Sequence, residues 1–160
     1  QGKITVTDFL LGQYYLYEDA LNSQEWNIES DSMKVVLGHE CQKATCSFRG
    51  RKWTAWFALD VPVSDGPLKF CGLPGLIMEV YDKGKQYYFC INGMQQVSAT
   101  SITFGNLNKD FKHFQKTNRK DFLLSKYRYL RNQNSINEAS TGISLGSVDE
   151  ALKYDLIERE

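Results

Sequence analysis

Apolar positions recur along this chain at two spacings, and the change from one to the other divides it. From Ile4 to Tyr17 β-branched and aromatic residues dominate and Gly12 marks a bend, which predicts one or two strands. Asp19 to Ser32 is polar and turn-forming, with Trp26 and Ile28 as anchors. Lys34 to Phe48 reads as one long strand whose apolar positions change phase, from Val35, Leu37 and Cys41 to Ala44, Cys46 and Phe48. A phase change inside an extended run predicts a bulge or turn near Gln42–Lys43. Arg49-Gly50-Arg51 then connects to a strand from Lys52 to Leu59, apolar on both faces and so expected at the centre of a sheet. All three prolines fall between Asp60 and Gly75, which excludes a regular ladder there. Strands follow at Leu76–Tyr81 and Gln86–Ile91, joined by Asp82-Lys83-Gly84-Lys85, and Asn92-Gly93 predicts a further hairpin into Met94–Phe104.

From Lys109 to Arg131 the period becomes helical, carried by Phe111, Phe114, Phe122, Leu123, Tyr127 and Leu130, with Asn108 or Thr117 as candidate caps. Residues 132–148, rich in Asn, Ser, Gly and Thr, read as a mobile loop. The expectation is a β-rich α+β fold in a single domain spanning residues 1–160. It has a curved, predominantly antiparallel meander and one C-terminal helical segment.

Composition narrows the function classes. Nineteen basic and nineteen acidic residues cancel, so no global charge argument favours nucleic acid. The stretch from Lys109 to Arg131 is locally basic, with eight Lys or Arg against two Asp, and the acidic end after Ser147 is a plausible packing partner. No apolar run reaches the roughly 18 residues of a membrane-spanning helix. Cys41, Cys46, Cys71 and Cys90 are separated by five, twenty-five and nineteen positions, unsuited to a Cys-x-x-Cys zinc site. They allow disulfides if the compartment is oxidising, or free buried thiols.

Gly72-Leu73-Pro74-Gly75-Leu76-Ile77 spells the motif that names the GLPGLI family, and the flanks resemble that family in order. Trp26-x-Ile28, Gly38-x-x-Cys41-x-x-Ala44-Thr45, Phe48-Arg49-Gly50-Arg51, Ala55-Trp56-Phe57, Gly66-Pro67 and Lys69-Phe70 carry the resemblance. The closing Tyr154–Glu158 departs from the family pattern at Asp155 and Leu156. The resemblance implies an exported bacterial protein, periplasmic or associated with the outer membrane or extracellular, of unassigned activity. It also implies further strand-rich sequence upstream.

Read on its own residues, the Pro/Gly segment is stiff. It serves either to set strand register or as the rim of a ligand or partner site built from Arg49, Arg51, Trp56, Lys69, Phe70, Gly72, Leu73, Pro74 and Gly75. Arg49, Arg51 and Lys69 would bind an anion or pair with Asp60 and Asp65. Reactive alternatives are few. His39 shares a strand face with Cys41, a candidate nucleophile pair, or with Cys46 a soft-metal set. Asp60, Asp65 and Glu79 are the candidate paired carboxylates of an envelope hydrolase. His113 reads as a solvated residue of the basic helical stretch. The reading favoured here is a non-enzymatic binding or accessory module for a small ligand or an envelope protein. It expects no cofactor, no metal, no nucleic-acid partner and no transmembrane segment.

Overall fold

The computed structural model describes residues 2–21, 23–98, 113–143 and 156–159. The chain divides into two compact units, one of residues 1–4 and 20–112, the other of residues 5–19 and 113–160. Two strands, β1 (Lys3–Leu10) and β2 (Gln13–Ala20), come first in the chain.

The first unit carries an open antiparallel sheet in the order β3-β4-β5-β6-β7. Its strands are β3 (Asn27–Val36), β4 (His39–Phe48), β5 (Arg51–Ala58), β6 (Leu76–Asp82) and β7 (Tyr88–Cys90). Two-residue turns set the β3–β4 and β4–β5 hairpins. Leu37-Gly38 and Arg49-Gly50 both have positive φ at each position, as Leu11-Gly12 has between β1 and β2. Such turns match the twist of the strands they join, and glycine at the second position relieves half of the strain. The strand expected to run unbroken from Lys34 to Phe48 is therefore a hairpin, broken at Leu37-Gly38. The Asn27–Ser32 part of the supposed turn region belongs to β3.

The phase change has a different cause from the one expected. β4 is unbroken, and its pairing with β5 runs continuously from Cys41↔Ala58 to Phe48↔Arg51. The irregularity lies across the ladder, in β3 between Glu29 and Met33, which face Lys43 and Gln42. Cys41 and Cys46 consequently point to opposite faces of β4, and each face has its own core. On one, Val36, Cys41, Ala58 and Met78 pack with Trp56, Val61, Leu76 and Ile91. On the other, Ala44, Cys46, Phe48, Trp53, Ala55 and Phe57 are buried. β5 sits between β4 and β6, as its two-faced pattern implies.

Among the described residues the meander ends with β7. β7 is three residues long, Asn92-Gly93 makes no hairpin, and Met94–Ser98 form no strand. Residues 99–104 lie outside the described residues.

In the second unit the sheet order is β1-β2-β8, where β8 (Gln115–Lys116) runs parallel to β2. The helix α1 (Arg119–Arg131) begins after two intervening residues. Its N-cap is Asn118, whose side chain accepts from the Asp121 amide at 2.9 Å, rather than Asn108, which is outside the described residues, or Thr117. Phe122 buries against Tyr15 and Tyr17, with ring centroids 5.5 and 5.7 Å away. His113, in a 3₁₀ turn, and Phe114, in a bend, precede β8 and lie outside α1, contrary to the expected α-helical period. The stretch read as a mobile loop contains a second helix, α2 (Gln133–Thr141), closed by Gly142 in the left-handed region. Asn and Ser are poor helix formers, but the αL glycine supplies the missing stop signal. The acidic end does meet the basic helix. Arg119 and Glu158 form an ion pair at 3.6 Å.

Candidate functional site

The Pro/Gly-rich loop is held at many points along its length. Gln24 Nε2 donates to the Lys69 carbonyl and Trp26 Nε1 to the Cys71 carbonyl, both at 2.8 Å. The Leu76 amide donates to Val61 O and the Ile77 amide to Asp65 O, while the Gly72 amide donates to Ser64 Oγ. Phe70 fills the centre of an aromatic cluster, 4.6 Å from Trp53, 6.0 Å from Phe48 and 6.2 Å from Trp26. Backbone lies so close that a Cβ on Gly75 would stand 2.0 Å from the Ala58 carbonyl oxygen. Polar and apolar contacts together fix the loop against the sheet.

The fixed loop borders an open cavity of about 490 Å³. Asp65, Gly66 and Pro67 form one wall, and Tyr88 to Ile91 form the other, over a floor of Leu76, Ile77 and Met78. This volume is within the range of small-molecule sites, and the lining is mostly apolar. Along the same sheet face runs a set of polar and aromatic groups. Lys34 is ion-paired with the buried Glu79 and lies over the Trp56 ring, 4.7 Å from its centroid. Cys90 is directly opposite Glu79 across the β6–β7 ladder, and Tyr81 is opposite Tyr88 with their rings stacked at 6.0 Å. Partial burial first, then Cys90 and Glu79, raise the Tyr88 phenol above its ordinary value. Trp56 Nε1 is buried with no hydrogen-bond partner among the described residues.

The rim expected from sequence separates into distinct parts. Phe70, Leu73 and Gly75 lie in the packed interior, whereas Gly72 and Pro74 are exposed. Arg51 is buried against Asp82 and Gln86, at 2.9 and 3.0 Å, so its carboxylate partner is neither Asp60 nor Asp65. Arg49 stacks on Phe48, 5.1 Å from the ring centroid. Lys69 offers its backbone carbonyl to Gln24. Trp56 sits on the face that carries Glu79. Cross-strand register brings Lys34, Tyr88 and Cys90 together around Glu79, and nothing in their separate spacings reveals it.

The reactive alternatives are dispersed. His39 and Cys41 do share a face, but His39 Nδ1 is held by Asp60 Oδ2 at 2.6 Å, and the Cys41 thiol donates to the His39 backbone carbonyl. Burial above all raises the Cys41 thiol, so the protonated form persists. Cys46 lies on the opposite face, which separates the imagined soft-metal set. Asp65 caps the Gly66 amide and Glu79 is taken by Lys34, so the three candidate acids are engaged separately. His113 is exposed, and its carbonyl accepts from Gln13.

All four cysteines are free. The expected bridges do not form, and for two sets of pairings the reason is strand geometry. Cys41 and Cys46 are roughly 16 Å apart on opposite faces of one strand, and Cys90 is three strand spacings, about 14 Å, from β4. Cys90 is exposed and the other three are buried. Ellman's reagent is expected to modify Cys90 rapidly in the native protein and the other three only on unfolding. Burial pushes the Cys46 thiol up to about 12. Its protonated form therefore contributes stability that is complete below pH 9 and lost as pH rises towards 12. Four fast thiols at neutral pH would contradict this placement.

Residues 49–79 match the model of a family described as a protein of unknown function (Porph_ging). The matched segment takes in β5, the whole Pro/Gly loop with the Gly72–Ile77 motif and the start of β6, but the matched family does not go by the GLPGLI name. No curated protein matches the chain. Among solved structures, the chain is similar to two crystal forms of PNGF-II, at 15% and 16% identity and a TM-score of 0.53 for each. The match covers 79% of this chain and 23% of that one, so the chain spans about a quarter of the length of the structures it matches. At that identity the likeness is one of fold.

Proposed function

We propose that the protein is an exported binding module of the cell envelope, taking a small apolar ligand or a short segment of an envelope protein in the cavity beside the Pro/Gly loop. The observation that carries this reading is the pairing of a rigidly held loop with an open, largely apolar cavity of about 490 Å³. Preorganisation of that kind lowers the ordering cost of binding. The dispersal of His39, Cys41 and the three acids supports binding over catalysis. In this reading the buried part of the expected rim, Phe70, Leu73 and Gly75, holds the loop in place. Asp65, Gly66 and Pro67 then face the ligand. Export rests on the sequence resemblance.

Two measurements test the reading on the full-length protein from its own host. Fractionation is expected to place it in the envelope, and native mass spectrometry to show a non-covalent adduct that the cavity-filling Cys90→Trp variant lacks. A cytoplasmic location would refute export. An adduct that survives Cys90→Trp would refute the cavity as its site.

A further inference from the structure

The five-stranded sheet carries a further recess that the cavity reading does not use. It is an open groove of about 590 Å³ on the face that bears Lys43 and Trp56. Cross-strand register builds its floor. Asn27 pairs with Thr45, Thr45 with Thr54 and Thr54 with Tyr81, so these polar side chains stand in one row, a span of about 14 Å across the strands. The next row holds Ser47 opposite Lys52, and Lys83, whose amide donates to the Lys52 carbonyl at 2.9 Å. Further along the same face the cations are matched, Lys43 by Glu29 at 2.9 Å and Lys34 by Glu79. Among the described residues neither Lys52 nor Lys83 has an ion pair, and the Thr45 and Thr54 hydroxyls have no hydrogen bond. The two lysines are exposed, while Thr45, Thr54 and Tyr81 are half-buried. Tyr88 and the Lys85 ammonium, 5.2 Å from the centroid, already pack on the Tyr81 ring, so its hydroxyl is the part left for the groove. Glu25, at the β3 end, is the acid of the lining.

These groups define a ligand by the hydrogen bonds each can make. A hydroxyl both donates and accepts, an ammonium only donates and a carboxylate only accepts. A row of hydroxyls complements other hydroxyls. Two unmatched ammonium groups complement an anionic oxygen, and Glu25 accepts from a hydroxyl at the opposite end. An apolar ligand would strip water from the half-buried hydroxyls and replace none of their hydrogen bonds. A neutral polyol would leave the lysines unused, and a bare phosphate would leave the hydroxyl row unused. The volume is within the range of small-molecule sites. We propose that this groove binds a sugar that carries a carboxylate or a phosphate. Its anionic group sits between Lys52 and Lys83, and its hydroxyls lie along Thr45, Thr54 and Tyr81. The groove shares no lining residue with the cavity beside the Pro/Gly loop, so this inference is independent of that site and of its ligand.

Isothermal titration of the full chain with glucuronate, glucose 6-phosphate, glucose and inorganic phosphate tests it. Glucuronate or glucose 6-phosphate is expected to bind about tenfold tighter than both glucose and inorganic phosphate, and more weakly as salt rises. The tighter of the two charged sugars identifies the anionic group. Lys52→Gln and Lys83→Gln should each weaken that binding about tenfold, and Thr54→Val about threefold, in keeping with a charged and a neutral hydrogen bond. Lys120→Gln, at an exposed lysine of α1, should change nothing. Lys52 and Lys83 are exposed and valine keeps the β-branched shape of Thr54, so circular dichroism should show folded variants. Equal binding of the four probes, or binding of none, would overturn the proposal. So would a Lys52→Gln/Lys83→Gln double variant that binds the charged sugar undiminished.

Discussion

Gly75→Ala is expected to lower stability by about 3 kcal/mol or more, at the upper end of overpacking substitutions. The added methyl would stand 2.0 Å from the Ala58 carbonyl oxygen and 2.7 Å from its carbon. Both are backbone atoms at the end of a central strand, so no side-chain rotation relieves the clash. Either the loop lifts away or β5 bends. Lifting breaks the Leu76–Val61 and Ile77–Asp65 hydrogen bonds and drags Phe70 from its cluster. For a chain of this length, the loss corresponds to a fall in Tm on the order of 10 °C. Neighbours in the same motif calibrate the result. Pro74 is exposed, and Pro74→Ala should cost less than about 1 kcal/mol through unfolded-chain entropy. Gly72, at φ +92°, should fall between them. Thermal unfolding of the three variants decides the order. A Gly75→Ala protein as stable as Pro74→Ala would mean the loop does not dock on Ala58.

That same loop shows how far sequence reasoning reaches. Its stiffness and its docking role were legible because Pro and Gly act locally, through φ and through missing atoms. The central place of β5 was legible from Trp53, Ala55 and Phe57 alternating with Trp56 and Ala58, since a strand covered on both sides must be apolar on both. The hairpin at Leu37-Gly38 was missed because its flanks are both strand-like, and a two-residue turn leaves only one glycine as a trace. The phase change at Gln42–Lys43 marks no irregularity in β4 itself. Cys41 serves the core on one face and Ala44, Cys46 and Phe48 the core on the other, and a strand covered on both sides mimics a bulge in its own pattern. Asn92-Gly93 failed in the opposite way, as a strong local turn signal with no described strand beyond it. The candidate site was the least legible part. Lys34, Glu79, Tyr88 and Cys90 come from three strands, and only their register makes them neighbours.

Arg51→Met is expected to cost about 3–5 kcal/mol, because it strands a buried carboxylate. Arg51 and Asp82 have side chains only 2% and 5% exposed and are 2.9 Å apart. The guanidinium also donates to Gln86 Oε1 at 3.0 Å and lies over the Tyr87 ring, 4.7 Å from its centroid. Asp82 in turn closes the β6–β7 connection. Its Oδ1 accepts from the Tyr87 amide, its carbonyl from Lys85, and its own amide donates to Tyr87 O. The pair therefore joins the start of β5 to the turn that positions Tyr88 and Cys90 on the cavity wall. Methionine keeps much of the arginine stem volume but supplies no donor, so Asp82 loses its counter-charge while remaining out of water. The double variant Arg51→Met/Asp82→Leu removes both charges and should recover at least 1 kcal/mol relative to Arg51→Met alone, since an apolar replacement of a buried pair costs far less than a broken one. Urea unfolding of the two singles and the double closes the cycle. If the double is as unstable as the sum of the singles, the two side chains act independently and the turn owes nothing to their pairing. If the coupling is as expected, the same variants also test the cavity. Ellman reactivity of Cys90 should rise with the loosened turn in Arg51→Met and return towards the native rate in the double.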